Sequence, residues 1–482
     1  MEEKLSKKAA SGMIWKLLEK ISAQGMSLII QIVLARLLLP EEYGLVGLLS
    51  IFITISDVFI LQGLTTALIQ KKDADDIDFS SVFFANIAVS LVLYGILFLT
   101  APLVASFYKE SRLTDIMRVL SLNVVIGAIP AVHNAILSRQ LDFRKSFYRN
   151  ISNVLTQGAV GITLALLGFG AWAMVFSRLA GMLVGTVVLC ATVKWKPIRV
   201  FDTHRVKQLF SYSSKVLATN LLNTVFNNIH SLIIGRAYSA ADVGHYQRGQ
   251  QIPQSMMSAV DGSLTEVLYP TFSKCQSDLT LLKSAVRKSV STSMFVVLPL
   301  LMGLLAVAEP LTLMLLTEKW LPSVPFMQLS CIVCMFWPLS HRSHALNALG
   351  KSNITLKLSL ISKATTLVMI FVCLRAGIYA IMLGSIFASF IGVCISSYYV
   401  KKYIGYTVKE LLCDVLPSLL LSLVMCGCVL AVGLLKLPTI VILALQVIAG
   451  VAVYVGLSAV FRLKAFAWML NMLKNIIHKK IK

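Results

Sequence analysis

The residues best placed to do chemistry in this sequence are polar side chains that recur every three or four positions inside long apolar stretches. This spacing puts the members of each set on one face of a helix. The sets are Lys16, Lys20, Gln24, Ser27 and Gln31; Lys215, Asn220, Asn223, Asn227 and His230; Gln247, Gln251, Gln254, Ser258 and Asp261; Ser50, Thr54 and Asp57; and Trp337, His341, His344 and Asn347. Ammonium and guanidinium groups gathered in this way favour an anionic ligand.

The charged residues in these sets and next to them do not balance. The candidates for ligand contact are mainly cations: Lys16, Lys20, Lys215, Arg248, His341 and Arg342. The acids at comparable positions are fewer: Glu19, Asp57, Asp261 and Glu266. We therefore predict a cationic site that receives an anion. Asp57, Asp261 and Glu266 are candidates for carrying a coupling proton or cation, and a structural pair with a nearby lysine is the other interpretation. The neutral Asn, Gln and Ser residues fit a cavity lining or hydrogen bonds between helices equally well.

The elements that position these residues are predicted to be transmembrane helices. The chain is 57% hydrophobic and 14% charged, with a mean hydropathy of +0.80, which exceeds what a soluble domain can bury. The apolar runs are continuous, unlike the alternating strands of a β-barrel. The predicted fold is an all-α polytopic membrane protein with about 14 spans, at 12–36, 44–69, 81–106, 115–137, 150–168, 171–192, 209–235, 243–270, 289–316, 326–349, 355–374, 377–400, 411–434 and 438–461.

Lysine and arginine are concentrated in every second connection between these spans. With the N-terminus in the cytoplasm, 29 of the 44 fall on the cytoplasmic side and seven on the other. This bias predicts that both termini are cytoplasmic. We therefore attribute the net charge of +22 to basic residues that orient the chain in the membrane and attract anionic membrane lipids. No nucleic-acid partner is expected.

The chain also repeats itself at an offset of about 200 residues. ARLLLPEEYG at 35–44 aligns with GRAYSAADVG at 235–244, LTTAL at 64–68 with LTEVL at 264–268, and the P-x-x-H at Pro130 more loosely with that at Pro338. Six spans per repeat give both halves the same orientation. The predicted organisation is an N-lobe over 1–200, a C-lobe over 201–402, two further helices over 403–461 and a basic amphipathic cytoplasmic tail over 462–482, with 193–208 as the linker between the lobes.

Enzyme and metal motifs are weak or missing. GKS at 350–352 lacks the first glycine of a phosphate-binding loop and follows a predicted span rather than a strand. His341 and His344 have no evident cysteine or carboxylate companion, so no metal is predicted. No catalytic residue and no cofactor is expected.

Five segments carry a resemblance to a known superfamily: ARLLLPEEYGLVGL, GLTTALIQKKD, SRQLDFRK, GRAYSAADVGHYQRGQQIP and NALGKSNITLKLSLI. With these, the chain resembles the multidrug/oligosaccharidyl-lipid/polysaccharide exporter superfamily, and within it the Wzx-type polysaccharide flippases of the O-antigen or colanic-acid-like kind. The likeness runs over nearly the whole chain.

The resemblance implies a transporter rather than an enzyme. Such a protein translocates an undecaprenyl-pyrophosphate-linked oligosaccharide across the bacterial inner membrane by alternating access, for lipopolysaccharide or other surface polysaccharide synthesis. Polysaccharide polymerase machinery is a potential partner. The alternative within the superfamily is a multidrug or cation antiporter, against which the count of 14 spans and the basic cavity argue. A membrane-bound glycosyltransferase would need catalytic carboxylates and a large loop, and a scaffold for an assembly machine would not explain the buried charges.

Overall fold

The structure is a computed structural model of the 482-residue chain. It describes the backbone of residues 2–140, 142–276, 278–435, 437–463 and 465–467, and within these all side chains except those of 2–14, 16, 17, 21, 212, 261–271 and 274. The described chain is helical and divides into two compact units, 1–244 and 245–482.

The first unit is built from helices, and two of its breaks lie at single small residues, Gly63 between α2 and α3 and Ser121 between α5 and α6. Its helices are α1 (Glu2–Leu37), α2 (Pro40–Gln62), α3 (Leu64–Gln70), α4 (Asp76–Tyr108), α5 (Leu113–Leu120), α6 (Leu122–Gln140), α7 (Phe143–Leu166), α8 (Ala171–Thr192), α9 (Thr203–Ala237) and the first turn of α10 (Ala240–Lys274). Helix α7 packs between α1 and α8, and α2 packs against α6 and α9.

The second unit contains the remainder of α10 and eight further α-helices among the described residues. These are α11 (Leu279–Ala306), α12 (Ala308–Leu315), α13 (Val324–Cys334), α14 (His341–Ala348), α15 (Ser352–Cys373), α16 (Ile378–Ile404), α17 (Val408–Gly433) and α18 (Thr439–Val460). Short 3-10 turns at Glu318–Ser323, Trp337–Ser340 and Leu374–Ala376 connect them. Helix α17 packs along α11 and α18, and α15 along α16.

Eleven helical segments of the described chain are long and apolar enough to cross a membrane. Helices α7, α9 and α10 have the length of a span, although they are not among these eleven. The hydropathy of α9 and α10 is lower because these two helices carry the polar faces found in the sequence. The all-α membrane fold is confirmed, and the count of 14 spans is compatible with these helices but stays a prediction.

The predicted domain boundaries also stay predictions. The linker over 193–208 joins α8 to α9, and both of these helices belong to the first unit, which ends at Gly244. The predicted tail from 468 onward lies outside the described residues.

Candidate functional site

Helix α1 presents part of its polar face at the surface of the first unit. Lys20 and Gln24 are exposed, whereas Gln31 donates a hydrogen bond to Ser27 Oγ over 3.0 Å. Glu19 is 6% exposed and accepts a hydrogen bond from the Asn150 amide of α7. The side chain of Lys16, the remaining predicted contact on this helix, lies outside the described residues.

Helix α9 presents a comparable face. Lys215 and Asn227 are exposed, and Asn220, Asn223 and His230 are half-buried. Polar side chains at membrane depth are costly against lipid unless they face water or each other. The exposure of Gln24 on α1 and of Asn227 on α9 therefore favours a water-filled space next to these two amides.

The lysines and the amides lie at different heights on these two helices. At 1.5 Å per residue, Lys20 lies about 26 Å along the axis from the end of α1 at Leu37, and Lys215 about 33 Å from the end of α9 at Ala237. Both lysines are thus near the end of the span opposite to the turn that follows the helix. Within the predicted membrane-spanning part of each helix, a lysine therefore lies near one end, and the amides lie between it and the turn that follows.

The turns that follow α1 and α9 are built alike. Glu42 accepts a hydrogen bond from the backbone N–H of Leu39 over 2.7 Å, at the start of α2. Asp242 accepts one from the backbone N–H of Ser239 over 3.0 Å, at the start of α10. In both turns an acid in the first turn caps the helix, as expected for a capping box. Glu42 and Asp242, which align in the sequence repeat, therefore make the same hydrogen bond at the start of their helices.

These two turns also contact each other through their backbones. A Cβ added at Gly44 would overlap the carbonyl of Ala240, and one added at Gly244 would overlap the carbonyl of Pro40. Since 240 and 244 are the repeat equivalents of 40 and 44, the contact is nearly symmetric. Only glycine at both positions permits this approach. We name this contact the glycine junction, consisting of Pro40, Gly44, Ala240 and Gly244.

An ion-pair cluster adjoins the glycine junction. Arg112, before α5, contacts Glu41, and its Nε donates to Glu110 over 2.8 Å. The hydrogen bond from Arg112 holds the pKa of Glu110 below its ordinary value, and the hydrogen bonds that Arg112 donates to Glu110 and Glu41 raise the pKa of Arg112. The cluster ties the start of α2 to the α4–α5 connection, so α2 has a fixed position at the junction.

In the second unit, Arg248 of α10 is packed inside the protein. It is 7% exposed, its guanidinium lies over the ring of Trp320 at 5.3 Å, and it donates to Gln251. His245 meets the same ring edge-on at 5.7 Å. A cation stacked on a buried indole is stabilised there. Exposed polar groups of α10 begin one turn further on, at Gln254 and Ser258.

Arg342 and His341 lie deeper still in the second unit. Each is 1% exposed. Arg342 donates from Nε to the carbonyl of Leu339 over 2.9 Å, and from its two amino groups to Ser397 and Ser396 of α16 over 2.9 and 3.0 Å. These bonds join α14 to α16, so the geometry corresponds to hydrogen bonding between helices.

We expect Arg342→Lys to lower the melting temperature of the detergent-solubilised protein. A lysine ammonium cannot reproduce the planar fork that reaches Ser396 and Ser397 together, and one buried hydroxyl loses its donor. A loss of about 1–3 kcal/mol is expected. Lys351→Arg, which retains an exposed charge one helix away, is the matched control and should leave the melting temperature unchanged.

The predicted coupling residues are only partly described. Asp57 on α2 is half-buried and interacts electrostatically with Arg178 of α8. Both interpretations of Asp57, a coupling residue and a structural pair with a nearby lysine, stay predictions. The side chains of Asp261 and Glu266 lie outside the described residues.

Two ionic clusters were not identified from the sequence. The first is centred on Asp78 of α4, which is fully buried and accepts from Lys71 Nζ over 2.6 and 2.7 Å. Arg205 lies 3.4 Å from Asp78 and also pairs with Asp75 at 2.6 Å. Hydrogen bonds from Arg205 hold the pKa of Asp75 at about 2. The D-x-x-D spacing of Asp75 and Asp78 is a capping-box signal that could have revealed the helix start, although not the partners.

The second cluster lies between α11 and α17. Arg287 binds Asp414 through Nε and one amino group, over 2.9 and 2.8 Å, and Lys283 binds Glu410 over 2.8 Å. Tyr406 donates to Asp414 over 2.9 Å. Asp414 is thus another acid within a predicted span, and it was missed because its cation lies far away in sequence.

The comparison with known families decides the identity. A family described as polysaccharide biosynthesis protein has a model that matches residues 33–325. The chain belongs to this family. Two of its curated relatives are the teichuronic acid biosynthesis protein TuaB of Bacillus subtilis and the lipopolysaccharide biosynthesis protein WzxC of Escherichia coli. TuaB is 28% identical over 58% of each chain, and WzxC is 23% identical over 68% of this chain and 67% of its own. The chain therefore spans about three-fifths of the length of TuaB.

Solved structures establish the fold of the chain. It is similar to the lipid II flippase MurJ in an inward closed conformation, with a TM-score of 0.73, 16% identity, and coverage of 93% of this chain and 98% of MurJ. It is also similar to an inward-facing multidrug resistance transporter of the MATE family and MOP superfamily, with a TM-score of 0.62, 15% identity, and coverage of 82% of this chain and 98% of the other. The fold is that of these transporters, and the resemblance indicated by the sequence motifs is confirmed.

Proposed function

We propose that the protein is a flippase that translocates an undecaprenyl-pyrophosphate-linked oligosaccharide across the bacterial inner membrane by alternating access, for surface polysaccharide synthesis. Both termini are cytoplasmic in this proposal. The observation that carries it is the exposed polar face on α1 and α9, with Lys20 and Lys215 near one end and amides beyond them.

The charges suit an anionic lipid headgroup. A lipid diphosphate carries negative charge through the low-dielectric membrane only if cations compensate it. Lys20 and Lys215 lie near the predicted cytoplasmic end, where such a headgroup arrives. The amides of Gln24 and Asn227 can then hydrogen-bond to sugar hydroxyls along the path.

The glycine junction supports the alternating-access part of the proposal. It lies beyond the amide faces, at the turns that follow α1 and α9, and two backbones meet there without intervening side chains. Such a contact can separate without breaking ion pairs or removing side chains from a pocket. The predicted location of these turns is the outer side of the membrane, so the junction is a suitable outer closure.

The first test removes the two exposed lysines. In a strain that depends on this gene for surface polysaccharide, we expect Lys20→Gln/Lys215→Gln to reduce surface polysaccharide about tenfold or more, while lipid-linked oligosaccharide accumulates on the cytoplasmic leaflet. Two lost charge contacts at about 1 kcal/mol each account for this magnitude. Lys207→Gln/Lys401→Gln removes the same charge from two exposed lysines outside the polar faces and should export normally.

A multidrug antiporter is the second candidate, favoured by the MATE-like fold. It predicts that deletion of the gene sensitises cells to cationic drugs and leaves lipid-linked oligosaccharide unchanged. Normal surface polysaccharide in the deletion strain, together with drug sensitivity, would decide for the antiporter and against the flippase.

A further inference from the structure

A pocket of about 670 Å³ lies in the first unit where α4 begins and α6 and α8 end. It is separate from the polar faces of α1 and α9. Its lining includes the aromatic rings of Phe79 and Trp195 and the cations Arg139, Lys145 and Lys194. By the distribution of basic residues, these helix ends lie on the cytoplasmic side of the membrane.

The aromatic side of the pocket is held in place from several directions. The Trp195 ring contacts Phe79 at 6.2 Å, Phe83 at 6.0 Å and His133 at 5.3 Å, each edge-on. Its indole N–H donates to Asp76 over 3.2 Å. An indole fixed in this way offers an apolar surface beside polar groups, the combination that suits the membrane–water interface.

The charged side of the pocket is predominantly positive. Arg139 donates to the backbone carbonyls of Leu68, Ile69, Lys71 and Lys72, which position its guanidinium and leave its charge unneutralised. Lys145 pairs with Asp142 at 3.2 Å, and Lys194 is exposed at the pocket. Three cations therefore line the pocket with one acid, Asp76, which already accepts the hydrogen bond from Trp195.

The chain that leaves the pocket has the character of a membrane-surface segment. Ile198, Val200 and Phe201 are 41%, 45% and 53% exposed, and they alternate with exposed basic residues at Lys196 and Arg199. The segment is fixed to α4, because the backbone N–H of Ile198 donates to Ser80 Oγ over 3.0 Å. A segment that is held in place and exposes both apolar and basic side chains favours a position at the level of the lipid headgroups.

We propose that this pocket binds the phosphate of an anionic phospholipid headgroup from the inner leaflet. Lys145 and Lys194 contact the phosphate, Arg139 adds a fixed positive charge, and Trp195 and Phe79 pack against the glycerol and the first acyl carbons. The bound lipid joins the ends of α4, α6 and α8 to the membrane surface. The proposal is independent of the transported substrate.

The test measures phosphatidylglycerol binding to the purified full chain by native mass spectrometry and by the rise in melting temperature on lipid addition. We expect Lys145→Gln/Lys194→Gln to weaken phosphatidylglycerol binding about tenfold, since two charge contacts are lost. The matched control Lys401→Gln/Lys409→Gln removes the same charge from two exposed lysines of the second unit and should bind within about twofold of the unmodified protein. Both variants should have the unmodified melting temperature without lipid.

Three results would overturn the proposal. Equal weakening in both variants would mean that the attraction is spread over the basic surface. Equal binding of phosphatidylcholine would show that the anionic charge is not recognised. Equal stabilisation by inorganic phosphate alone would assign the pocket to a free phosphate rather than to a lipid. Polysaccharide export plays no part in these measurements, so their failure leaves the proposed flippase function unaffected.

Discussion

Gly44→Ala and Gly244→Ala are each expected to reduce surface polysaccharide about tenfold or more, although the proteins still insert into the membrane. The added methyl group at either position overlaps a backbone carbonyl, of Ala240 or of Pro40. Neither carbonyl can rotate away as a flexible side chain would, so the two turns must separate. If the glycine junction closes the outer side during transport, a transporter that cannot form it leaks or stalls.

The control for this prediction is a glycine in a similar helix with free space around it. A Cβ at Gly427 or at Gly456 meets nothing within 4 Å, so Gly427→Ala and Gly456→Ala should export normally. The double variant Gly44→Ala/Gly244→Ala should be little worse than either single variant, because both changes open the same contact. Normal export by the single variants would remove the junction from the mechanism, and additive losses would show that the two glycines act separately.

The sequence predicted the helices well, because long apolar runs in this chain leave few alternatives. It did not predict where these helices break. The stretch predicted as one span over 115–137 is two helices with a turn at Ser121, and the stretch predicted over 44–69 is interrupted at Gly63, between α2 and α3. Such breaks leave the mean hydropathy of the run nearly unchanged, so a hydropathy pattern cannot locate them.

The candidate site was predictable in its composition and less so in its geometry. Helical spacing correctly grouped Lys20 with Gln24, and both are exposed. Arg248 was predicted to contact the ligand beside the glutamines of α10, but its stacking on Trp320 depends on a residue about 70 positions away. Similarly, the alignment of Gly44 with Gly244 revealed a repeat, whereas their contact with the opposite turn required the tertiary structure. Spacing identifies a face of a helix and contains no information on what that face meets.

Asp78→Ala is expected to destabilise the first unit by about 3–5 kcal/mol, because it removes the acid partner of a buried charge cluster. Asp78 is fully buried against Lys71, with Arg205 at 3.4 Å. Without the carboxylate, two cations remain beside each other at the connection between α3, α4 and α9. Melting of the detergent-solubilised protein measures the effect. Asp115→Asn is the control and should change stability by less than about 1 kcal/mol, since Asp115 is 74% exposed and lies 4.0 Å from Arg118.

A double-mutant cycle with Lys71→Met identifies the interaction. If Lys71 is the main partner of Asp78, the double variant should be more stable than the sum of the single losses predicts. Additive losses would place the effect of Asp78→Ala in packing or in the helix cap instead.

The pH dependence of the same cluster follows from Asp75, whose pKa is held at about 2 mainly by its hydrogen bonds with Arg205. A carboxyl group with a lowered pKa stabilises the folded state above its ordinary pKa, and this contribution is lost as the pH falls towards 2. Between pH 8 and pH 5 the group stays ionised in both the folded and the unfolded protein, so its contribution is constant. The difference in melting temperature between the unmodified protein and Asp75→Asn should therefore be flat over this range and shrink only in acid. If this difference in melting temperature falls near pH 6, a group other than Asp75 controls the stability of the connection between α4 and α9. The hydrogen bonds of Asp75 would then not stabilise the fold.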